Sequence, residues 1–497
     1  MPRLWDAVGG VTLVVFALSV YQLSERRAAV PTETADLSAT PEADTLDEGR
    51  EWLGLYFNDQ KLGFSRIERT RRPEGGLRFA HETRLKLDAL GVSQRMDLDL
   101  TADLSPTLAL ERFDFALTAG DQSFSGSGRV VGLEVQVELR TGGETVSRRV
   151  TLTGPPVLRE ALGPLFAQRA PTPGSRFVVE SFDPWSTGLV PIEIEVVGPD
   201  TVMALEQVVA VTHVRQKVQG MVLDAWISPR GEVLKQTLPL GLTARRESEE
   251  EARWGLAAER GAQAALLDAL EVPVRGLPDR LDALDTLRLR VRGPDAARNG
   301  LSRPPRQRLE SPDLLVVSRV ALPPGLPRPL PSARLHSDPE VREALRPEAL
   351  VQSTHPRIRQ LAAEIVGDAP DTVEATRRVV AWMRRELVSE RATGAPSALE
   401  MLERRRGDCN DWAVLFAALA RASGVPARLA FGLLWETPRF RYHAWNEVLT
   451  TEGWVPVDAL WAQFPVELGH LALAVGDVGR QIDLLNSMGR LSFDWAP

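Results

Sequence analysis

Runs in which apolar and polar residues alternate recur through the first half of this chain, from about residue 51 to about residue 243. Residues 96–100 read Met-Asp-Leu-Asp-Leu, and residues 192–196 read Ile-Glu-Ile-Glu-Val. Successive side chains of a β-strand point to opposite faces, so this pattern predicts strands with one packed face and one wet face. Such strands are typical of antiparallel sheets. We therefore expect a β-rich antiparallel-sheet domain over residues 48–245.

Turn signals separate the alternating runs of this region. Gly142-Gly143 predicts a hairpin turn between two of them, and Pro229-Arg230-Gly231 predicts a second one. His81 and His213 stand alone among the strands, which is typical of structural histidines. We therefore expect no catalytic site here, although a curved sheet of this kind could hold an apolar ligand or a peptide.

Length and composition place the chain among folded proteins of more than one domain. It has 497 residues, 43% of them hydrophobic and 25% charged, with a net charge of −8. The charge is spread along the sequence without a basic stripe, so we expect no nucleic acid partner. A single cysteine excludes an intramolecular disulfide and is compatible with either redox compartment.

The N-terminus carries an uncharged apolar run over residues 7–23, close to the length of about 20 residues that a spanning helix needs. We predict an uncleaved membrane anchor over residues 1–27, with a cleaved signal peptide as the alternative. Residues 28–47 have the composition of a disordered linker. The anchor would leave the rest of the chain outside the cytoplasm, in a periplasmic location, although Arg3 and the arginines after residue 25 do not settle the orientation.

A different pattern follows the β-rich domain. Residues 246–337 predict a connector that holds a helix with an acidic start, two strands at Thr286–Val291 and Leu314–Val320, and a stiff proline-rich stretch over residues 323–331. Residues 338–497 then combine helical periodicity with three later strands, which predicts an α+β domain. The fold class predicted for the whole chain is therefore α+β, with the β-rich domain preceding this C-terminal domain.

The only cysteine of the chain, Cys409, begins a predicted helix that ends before Gly424. Asp408 is the expected N-cap of this helix. A thiol in the first helical turn lies near unsatisfied N–H groups and the positive end of the helix dipole, and both favour the thiolate. A lone cysteine is ordinarily a small buried hydrophobe. With His443 and Asp458 following it, we interpret Cys409 as a nucleophile.

Cysteine amide chemistry requires a thiolate, an imidazole that carries its proton and a group that orients the imidazole. We predict that Cys409, His443 and Asp458 fill these roles, because two neighbouring strands can set the histidine beside the aspartate. The remaining histidines of the C-terminal part lack such a setting; they are His336, His355 and His470.

Four ordered motifs carry a family resemblance: Gly407-Asp408-Cys409, Gly424-Val425-Pro426-Ala427-Arg428, His443-Ala444-Trp445-Asn446-Glu447 and Gly453-Trp454-Val455-Pro456-Val457-Asp458. Together they resemble the transglutaminase-like superfamily, which has a papain-like core, and the likeness is strongest from residue 397 to residue 465. The resemblance implies that Cys409 is the nucleophile, His443 the general base and then acid, and Asp458 the orienting carboxylate. The chain departs from the family at Ala459, since the family often has Asp-Pro-Thr where this sequence has Asp-Ala-Leu.

The implied reaction is acyl transfer on an amide bond, with a protein or peptide as substrate. Hydrolysis and transfer to an amine use the same three residues and stay open, as does a non-catalytic scaffold whose β-rich domain binds a partner. The Cys409 N–H is the expected oxyanion donor; Trp382 is a candidate second donor, but its place on an apolar helix face is more typical of the core. We expect no cofactor and no metal, since ligand spacings for calcium or zinc are missing.

Overall fold

The computed structural model describes residues 48–497 apart from short gaps at 58, 90–91, 120–121, 142–143, 153, 155, 157, 159–161, 163–171, 184–187, 219–220, 239–240, 255–270, 294–297, 299, 332–336, 349, 391–396 and 477–489. The described residues form two compact units, 48–254 and 271–497. None of the helices in the described residues is long and apolar enough to cross a membrane. The predicted anchor over residues 1–27 and linker over residues 28–47 lie outside the described residues.

The first unit is built almost entirely of strands, as the alternation predicted. They are β1 (Gly49–Phe57), β2 (Gln60–Arg71), β3 (Leu77–Ala89), β4 (Val92–Leu104), β5 (Leu110–Ala119), β6 (Gln122–Val131), β7 (Glu134–Thr141), β8 (Glu144–Thr151), β9 (Arg176–Asp183), β10 (Gly188–Ala204), β11 (Gln207–Val218), β12 (Met221–Ile227), β13 (Val233–Thr237) and β14 (Leu242–Glu247). One short helix, α1 (Glu249–Arg253), follows them and packs Ala252 against Trp52 and Phe64.

All fourteen strands form one antiparallel sheet in the order β8-β7-β6-β5-β4-β3-β2-β1-β14-β13-β12-β11-β10-β9. Each strand pairs with its neighbour in sequence except β8 and β9, which form the two ends of this order. Strand β1 pairs with β14, so the first and last strands meet in the middle of the sheet. The sheet curves back on itself, because Phe113 of β5 and Phe182 of β9 pack with ring centroids 5.4 Å apart although their strands are ten positions apart in the sheet. This curvature encloses the apolar face that the alternation predicted.

The two lone histidines of this unit have local partners. His81 Nε2 lies 2.7 Å from the Ser65 hydroxyl oxygen. His213 Nε2 lies 2.8 Å from Asp224 Oδ1, and its ring stacks on Trp226 with centroids 4.8 Å apart. Both histidines therefore sit in local side-chain contacts, as the sequence indicated.

The second unit combines helices with a mixed sheet of nine strands. Its helices are α2 (Pro339–Glu343), α3 (Pro356–Val366), α4 (Thr372–Glu386), α5 (Ala398–Arg404) and α6 (Cys409–Ala422). Its strands are β15 (Val272–Arg275), β16 (Thr286–Arg292), β17 (Gln307–Ser311), β18 (Leu314–Ser318), β19 (Val388–Ser389), β20 (Arg406–Gly407), β21 (Ala427–Glu436), β22 (Arg439–Thr450), β23 (Gly453–Val457), β24 (His470–Gly476) and β25 (Ser492–Trp495). Nine of them form a sheet ordered β17-β18-β16-β25-β15-β22-β21-β24, with β23 also paired to β22, while β19 pairs with β20 alone.

The segment predicted as a connector contributes to this unit. Strands β15 to β18 join the nine-stranded sheet. The proline-rich stretch packs instead of standing free, because Leu326 and Leu330 are buried with Val341 and Leu449 in one apolar cluster. Backbone polar groups in this stretch are also paired, since the Leu326 N–H donates to the Thr372 hydroxyl over 3.0 Å.

Helix α6 lies at the centre of the second unit. Its large apolar residues, Trp412, Leu415, Phe416 and Leu419, recur at helical spacing and predict one buried face. In the structure every residue from Cys409 to Arg421 is buried. The reason is tertiary, because α3, α4 and α5 surround the helix on one side and β21 and β22 pack against the other. Its one buried cation, Arg421, forms an ion pair of 2.6 Å with Glu348.

Candidate active site

Cys409 is the first residue of α6, and a reciprocal pair of side-chain caps fixes that position. Asp408 Oδ1 accepts hydrogen bonds from the N–H groups of Asn410 (2.8 Å) and Asp411 (3.3 Å). In return, Asp411 Oδ2 accepts one from the Asp408 N–H over 2.8 Å. A Cβ on Gly407 would overlap the Asp411 carboxylate, so this arrangement requires a glycine there. The sequence predicted the Asp408 cap but not the role of Asp411.

The thiol environment differs from the one predicted from the helix start. Cys409 is only 7% exposed. Burial raises the pKa of its thiol well above the usual range, and the negative charge of Asp408 adds to that effect. A hydrogen bond from the Ala444 backbone N–H lowers the pKa but does not offset the other two. Burial and the neighbouring carboxylates therefore favour the neutral thiol of Cys409 over the thiolate.

His443 and Asp458 form a short, buried hydrogen bond. His443 lies on β22 and Asp458 directly follows β23, whose last pair joins Asn446 and Val457. The Nε2 atom of His443 lies 2.6 Å from Oδ2 of Asp458, and both side chains are buried. The pairing of β22 with β23 thus does what the sequence predicted, because it sets the imidazole beside the carboxylate.

Asp458 is held in its charged form. Burial alone would raise the pKa of this carboxyl, but the His443 and His470 imidazoles lower it to a net value below the usual range. Oδ1 accepts a further hydrogen bond of 3.0 Å from the Trp461 N–H. Because an ionised carboxylate can only accept, the hydrogen of the 2.6 Å contact belongs to Nε2 of His443. In the neutral ring, Nδ1 of His443 then carries the lone pair and can accept a proton.

The Ala444 hydrogen bond places the Cys409 sulfur beside β22, next to the residue that carries the imidazole. Strand β15 pairs with β22 at Arg439 and Phe440, and β23 pairs with it from Asn446 onward. The part of β22 that holds His443 and Ala444 lies between these two paired regions. The structure therefore brings all three predicted residues to one edge of β22.

His470 belongs to the candidate site, although the sequence did not indicate it. The spacing of motifs indicated no special setting for it, but its Nε2 lies 3.0 Å from the same Oδ2 of Asp458. Burial lowers the pKa of His470 to about 4 even though Asp458 opposes that shift, so the ring is neutral and donates from Nε2. No local signal marks this residue, because it begins β24, which pairs with β21 and not with β22 or β23.

Residues of the predicted connector hold His470 in place. The Arg306 guanidinium donates to the backbone carbonyl oxygens of His470 (2.7 Å) and Glu467 (2.6 Å). Gln307 adds two hydrogen bonds to the backbone of Ala472, of 2.8 and 2.9 Å. Burial lowers the pKa of Arg306 to about 10, which leaves it a cation at neutral pH. The connector thus supports the carboxylate end of the site.

The other residues considered from sequence lie elsewhere. His355 caps α3, where its Nδ1 accepts from the Arg357 N–H over 3.2 Å. His336 lies outside the described residues. Trp382 is buried on α4 with the Arg405 guanidinium 6.0 Å from its ring, which fits the core position that we expected.

The structure also groups three side chains of the kinds that bind zinc, which sequence spacing did not indicate. One ligand atom each of His443, Asp458 and His470 lies within 4.8 Å of the others. The two nitrogen-to-oxygen distances, 2.6 and 3.0 Å, are those of hydrogen bonds. Protons therefore account for the contacts within this group.

Comparisons with known proteins place the site within a family match. Residues 359–459 match the family model of the transglutaminase-like superfamily. No curated protein matches the sequence. Among solved structures, a proposed cysteine protease from Cytophaga hutchinsonii is similar, with 17% identity, 42% of this chain and 83% of that chain covered, and a TM-score of 0.29. A β-barrel-like protein of a domain of unknown function from Brucella abortus is similar at 11% identity, covering 41% and 97% of the respective chains, with a TM-score of 0.34.

The second unit combines a cysteine at the start of a helix with a histidine–carboxylate pair on antiparallel strands. This combination of fold and site defines a class of protein. The matched residues lie within that unit and include Cys409, His443 and Asp458. The chain therefore contains a domain of the transglutaminase-like superfamily.

Proposed function

We propose that this protein is a cysteine-dependent enzyme that transfers the acyl group of a peptide or protein amide. The observation that carries the proposal is the buried 2.6 Å hydrogen bond between His443 and Asp458, next to the strand position that contacts the Cys409 sulfur. A scaffold would have no need to hold Asp458 ionised between two buried imidazoles. The superfamily match supports the same chemistry.

The first step begins from a neutral thiol. When a carbonyl lies beside Cys409, Nδ1 of His443 accepts the thiol proton while the sulfur attacks the carbonyl carbon. Asp458 stabilises the imidazolium that forms and holds its orientation. The Cys409 N–H at the start of α6 is the donor that the structure offers to the oxyanion. The tetrahedral intermediate then collapses, the C–N bond breaks, and the imidazolium returns its proton to the leaving amine.

The second step releases the acyl group. His443 removes a proton from the acceptor, which attacks the thioester carbonyl, and the carbon–sulfur bond breaks as the thiol is reprotonated. Water as acceptor gives a carboxylic acid, and an amine gives a new amide. Both reactions use the same three residues, so the acceptor must be identified by measuring the products.

In the deciding experiment the protein is incubated with a glutamine-containing peptide, with and without a primary amine. Mass spectrometry then identifies the products formed from the side-chain amide and from the peptide bonds. New carboxyl groups identify a hydrolase, and a mass increase equal to the amine less ammonia identifies a transferase. If neither product forms with any peptide in a broad library, and Cys409 reacts with iodoacetamide no faster than a buried unactivated thiol, the scaffold alternative replaces this proposal.

We also propose that residues 1–27 attach the enzyme to a membrane, with the two units on the extracytoplasmic side. The uncharged run over residues 7–23 and the polar stretch over residues 28–47 support this proposal. Cell fractionation of the full chain and of a variant that starts at residue 28 tests it. A full chain that stays in the soluble fraction contradicts it.

A further inference from the structure

A cavity of about 320 Å³ lies beside the carboxylate end of the site, within the second unit. Three of the residues that line it contact Asp458 directly. They are Trp461, whose N–H donates to Oδ1, His470, whose Nε2 donates to Oδ2, and Gln463, which exchanges two backbone hydrogen bonds with Asp458. A ligand in this cavity would therefore contact side chains that themselves contact Asp458 of the proposed triad.

The wall of this cavity is acidic. Four carboxylates line it, against one arginine: Asp279, Asp282, Glu436 and Glu467, with Arg280. Arg280 is paired with Asp282, and Arg441 lies 3.4 Å from Glu436. Within the described part of the chain, the remaining two carboxylates, Asp279 and Glu467, take part in no ion pair. Neither of these two carboxylates is therefore held by a cationic side chain in an ion pair.

Two tryptophans give the same cavity aromatic walls. Trp435 lines it from the end of β21, where its indole N–H donates to the Asp279 carbonyl oxygen over 3.3 Å. Trp461 lines it from the loop after Asp458 and is 50% exposed, which is unusual for so large an apolar side chain. The residue after it, Ala462, has a φ of 55°, a left-handed conformation that costs a non-glycine residue of order 1 kcal/mol.

The loop after Asp458 therefore holds a strained residue, Ala462, and leaves the Trp461 indole half-exposed to solvent. Its ends are closed by the paired backbone hydrogen bonds of Asp458 and Gln463, both 2.9 Å, so the position of Trp461 is tied to that of the triad carboxylate. Strained residues of this kind cluster at functional sites. Indole rings and free carboxylates together attract cations, through the ring quadrupole and through charge.

We propose that this cavity binds a cationic side chain, lysine or arginine, of the peptide substrate at a position near the scissile bond. The inference rests on the proposed amide chemistry for the identity of the substrate as a peptide. The carboxylates of Asp279 and Glu467, which form no ion pair, supply the preference for a cation, and Trp435 and Trp461 supply the apolar contact for its methylene stem.

Binding tests the inference without turnover. The full chain carrying Cys409→Ala is titrated with alanine-based hexapeptides in which a lysine or its neutral isostere norleucine is placed at each position in turn, and heat or indole fluorescence is recorded. We expect the lysine peptide to bind about tenfold more tightly at one register, from a charge contact and a cation–π contact of modest strength each. Added salt should reduce that difference.

Variants identify the cavity as the source of the preference. The double substitution Asp279→Asn with Glu467→Gln should bring the lysine and norleucine peptides to within about twofold of each other. The matched control Glu452→Gln removes an exposed acid from the β22–β23 turn, away from the cavity, and should leave the tenfold difference intact. Equal affinities in the parent protein, no binding of any peptide, or a lysine preference that survives the double substitution would each overturn the inference.

Turnover separates this inference from the proposed function. If the parent protein cleaves or aminates norleucine and lysine peptides equally, the amide chemistry stands and the cationic subsite fails. If the lysine preference in binding is present but no peptide is turned over under any condition, the subsite stands and the proposed catalytic function fails.

Discussion

Nε2 of His470 donates a hydrogen bond of 3.0 Å to Oδ2 of Asp458, although the strands that carry these residues do not pair with each other. The carboxylate therefore accepts from two imidazoles at one oxygen. One of them, His443, lies beside the strand position that contacts the Cys409 sulfur. The other is buried, neutral and held by Arg306 through its backbone. The proposed triad thus has a fourth member that positions the third.

Cys409→Ala should abolish acyl transfer and leave the fold intact. The substitution removes the sulfur that attacks the carbonyl and leaves only a small gap in a buried site. Loss of a nucleophile of this kind lowers kcat by at least about 10³-fold. Product formation measures activity, and the thermal midpoint should shift by no more than a few degrees. Residual turnover at the parent rate would show that another residue attacks the substrate.

Asp458→Asn should lower kcat by roughly 10³-fold or more with little change in KM. The amide keeps the shape of the carboxylate, and its oxygen can take the place of Oδ2, but it carries no charge to stabilise an imidazolium. Its NH₂ group then faces the Trp461 N–H, which donates to Oδ1 in the parent protein. Steady-state kinetics with one peptide test this. Because His443→Gln removes the base itself, it serves as the comparison, and a larger loss in the aspartate variant than in the histidine variant would contradict the assigned roles.

His470→Leu and His470→Gln should differ. Leucine removes one donor from the Asp458 carboxylate, and a hydrogen bond to a charged group contributes about 1.5–3 kcal/mol, so kcat should fall about 10- to 100-fold. Glutamine can place an N–H near the position of Nε2 and should recover most of that loss. The pH dependence of iodoacetamide labelling of Cys409 should also shift in the leucine variant alone. Equal kinetics in the two variants would mean that His470 only fills space.

Acid should destabilise the second unit through His470. Its pKa is about 4 in the folded protein and about 6.5 when unfolded, so the unfolded chain binds the extra proton between these values. The stabilisation is complete above pH 6.5 and is lost as pH falls towards 4, by about 3 kcal/mol in all. Thermal midpoints at pH 7, 5.5 and 4.5 measure it. His470→Gln should flatten this dependence relative to the parent protein, and an unchanged slope would exclude His470 as its source.

Gly407→Ala should damage the site through the helix cap. The new Cβ would overlap the Asp411 carboxylate, which must then release the Asp408 N–H or shift the start of α6. Overpacking of this kind costs typically 1–3 kcal/mol. The thermal midpoint and the labelling rate of Cys409 should both fall. Gly49→Ala is the matched control, since its Cβ would meet open space, and it should change neither quantity.

Some parts of the fold follow from short stretches of sequence. The alternation in β12 survives as buried residues at positions 221, 223, 225 and 227. Ser397-Ala398-Leu399-Glu400 has the sequence of a capping box, and Ser397 does cap α5 and pair with Glu400, with hydrogen bonds of 2.8 and 3.3 Å. Asp408 likewise caps α6. Each of these features depends on residues a few positions apart, where backbone geometry alone sets which side chains meet.

Other parts required the folded chain. The period-two pattern cannot specify that the sheet curves far enough to bring Phe113 to Phe182. Nor can it specify that the strands of the predicted connector join the second sheet. Helix α6 has an amphipathic sequence pattern because its alanines indicate neither a buried nor an exposed face. Its burial on all sides depends on elements that are distant in sequence.

The site divides in the same way. The sequence alone indicated the three residues of the proposed triad, because Cys409, His443 and Asp458 lie within motifs that begin a helix or flank a strand pair. Only the tertiary structure decided the charge state of the thiol and the presence of His470. A pKa reflects the sum of burial and neighbouring charges, and those depend on which strands lie side by side, which no local pattern of residues records.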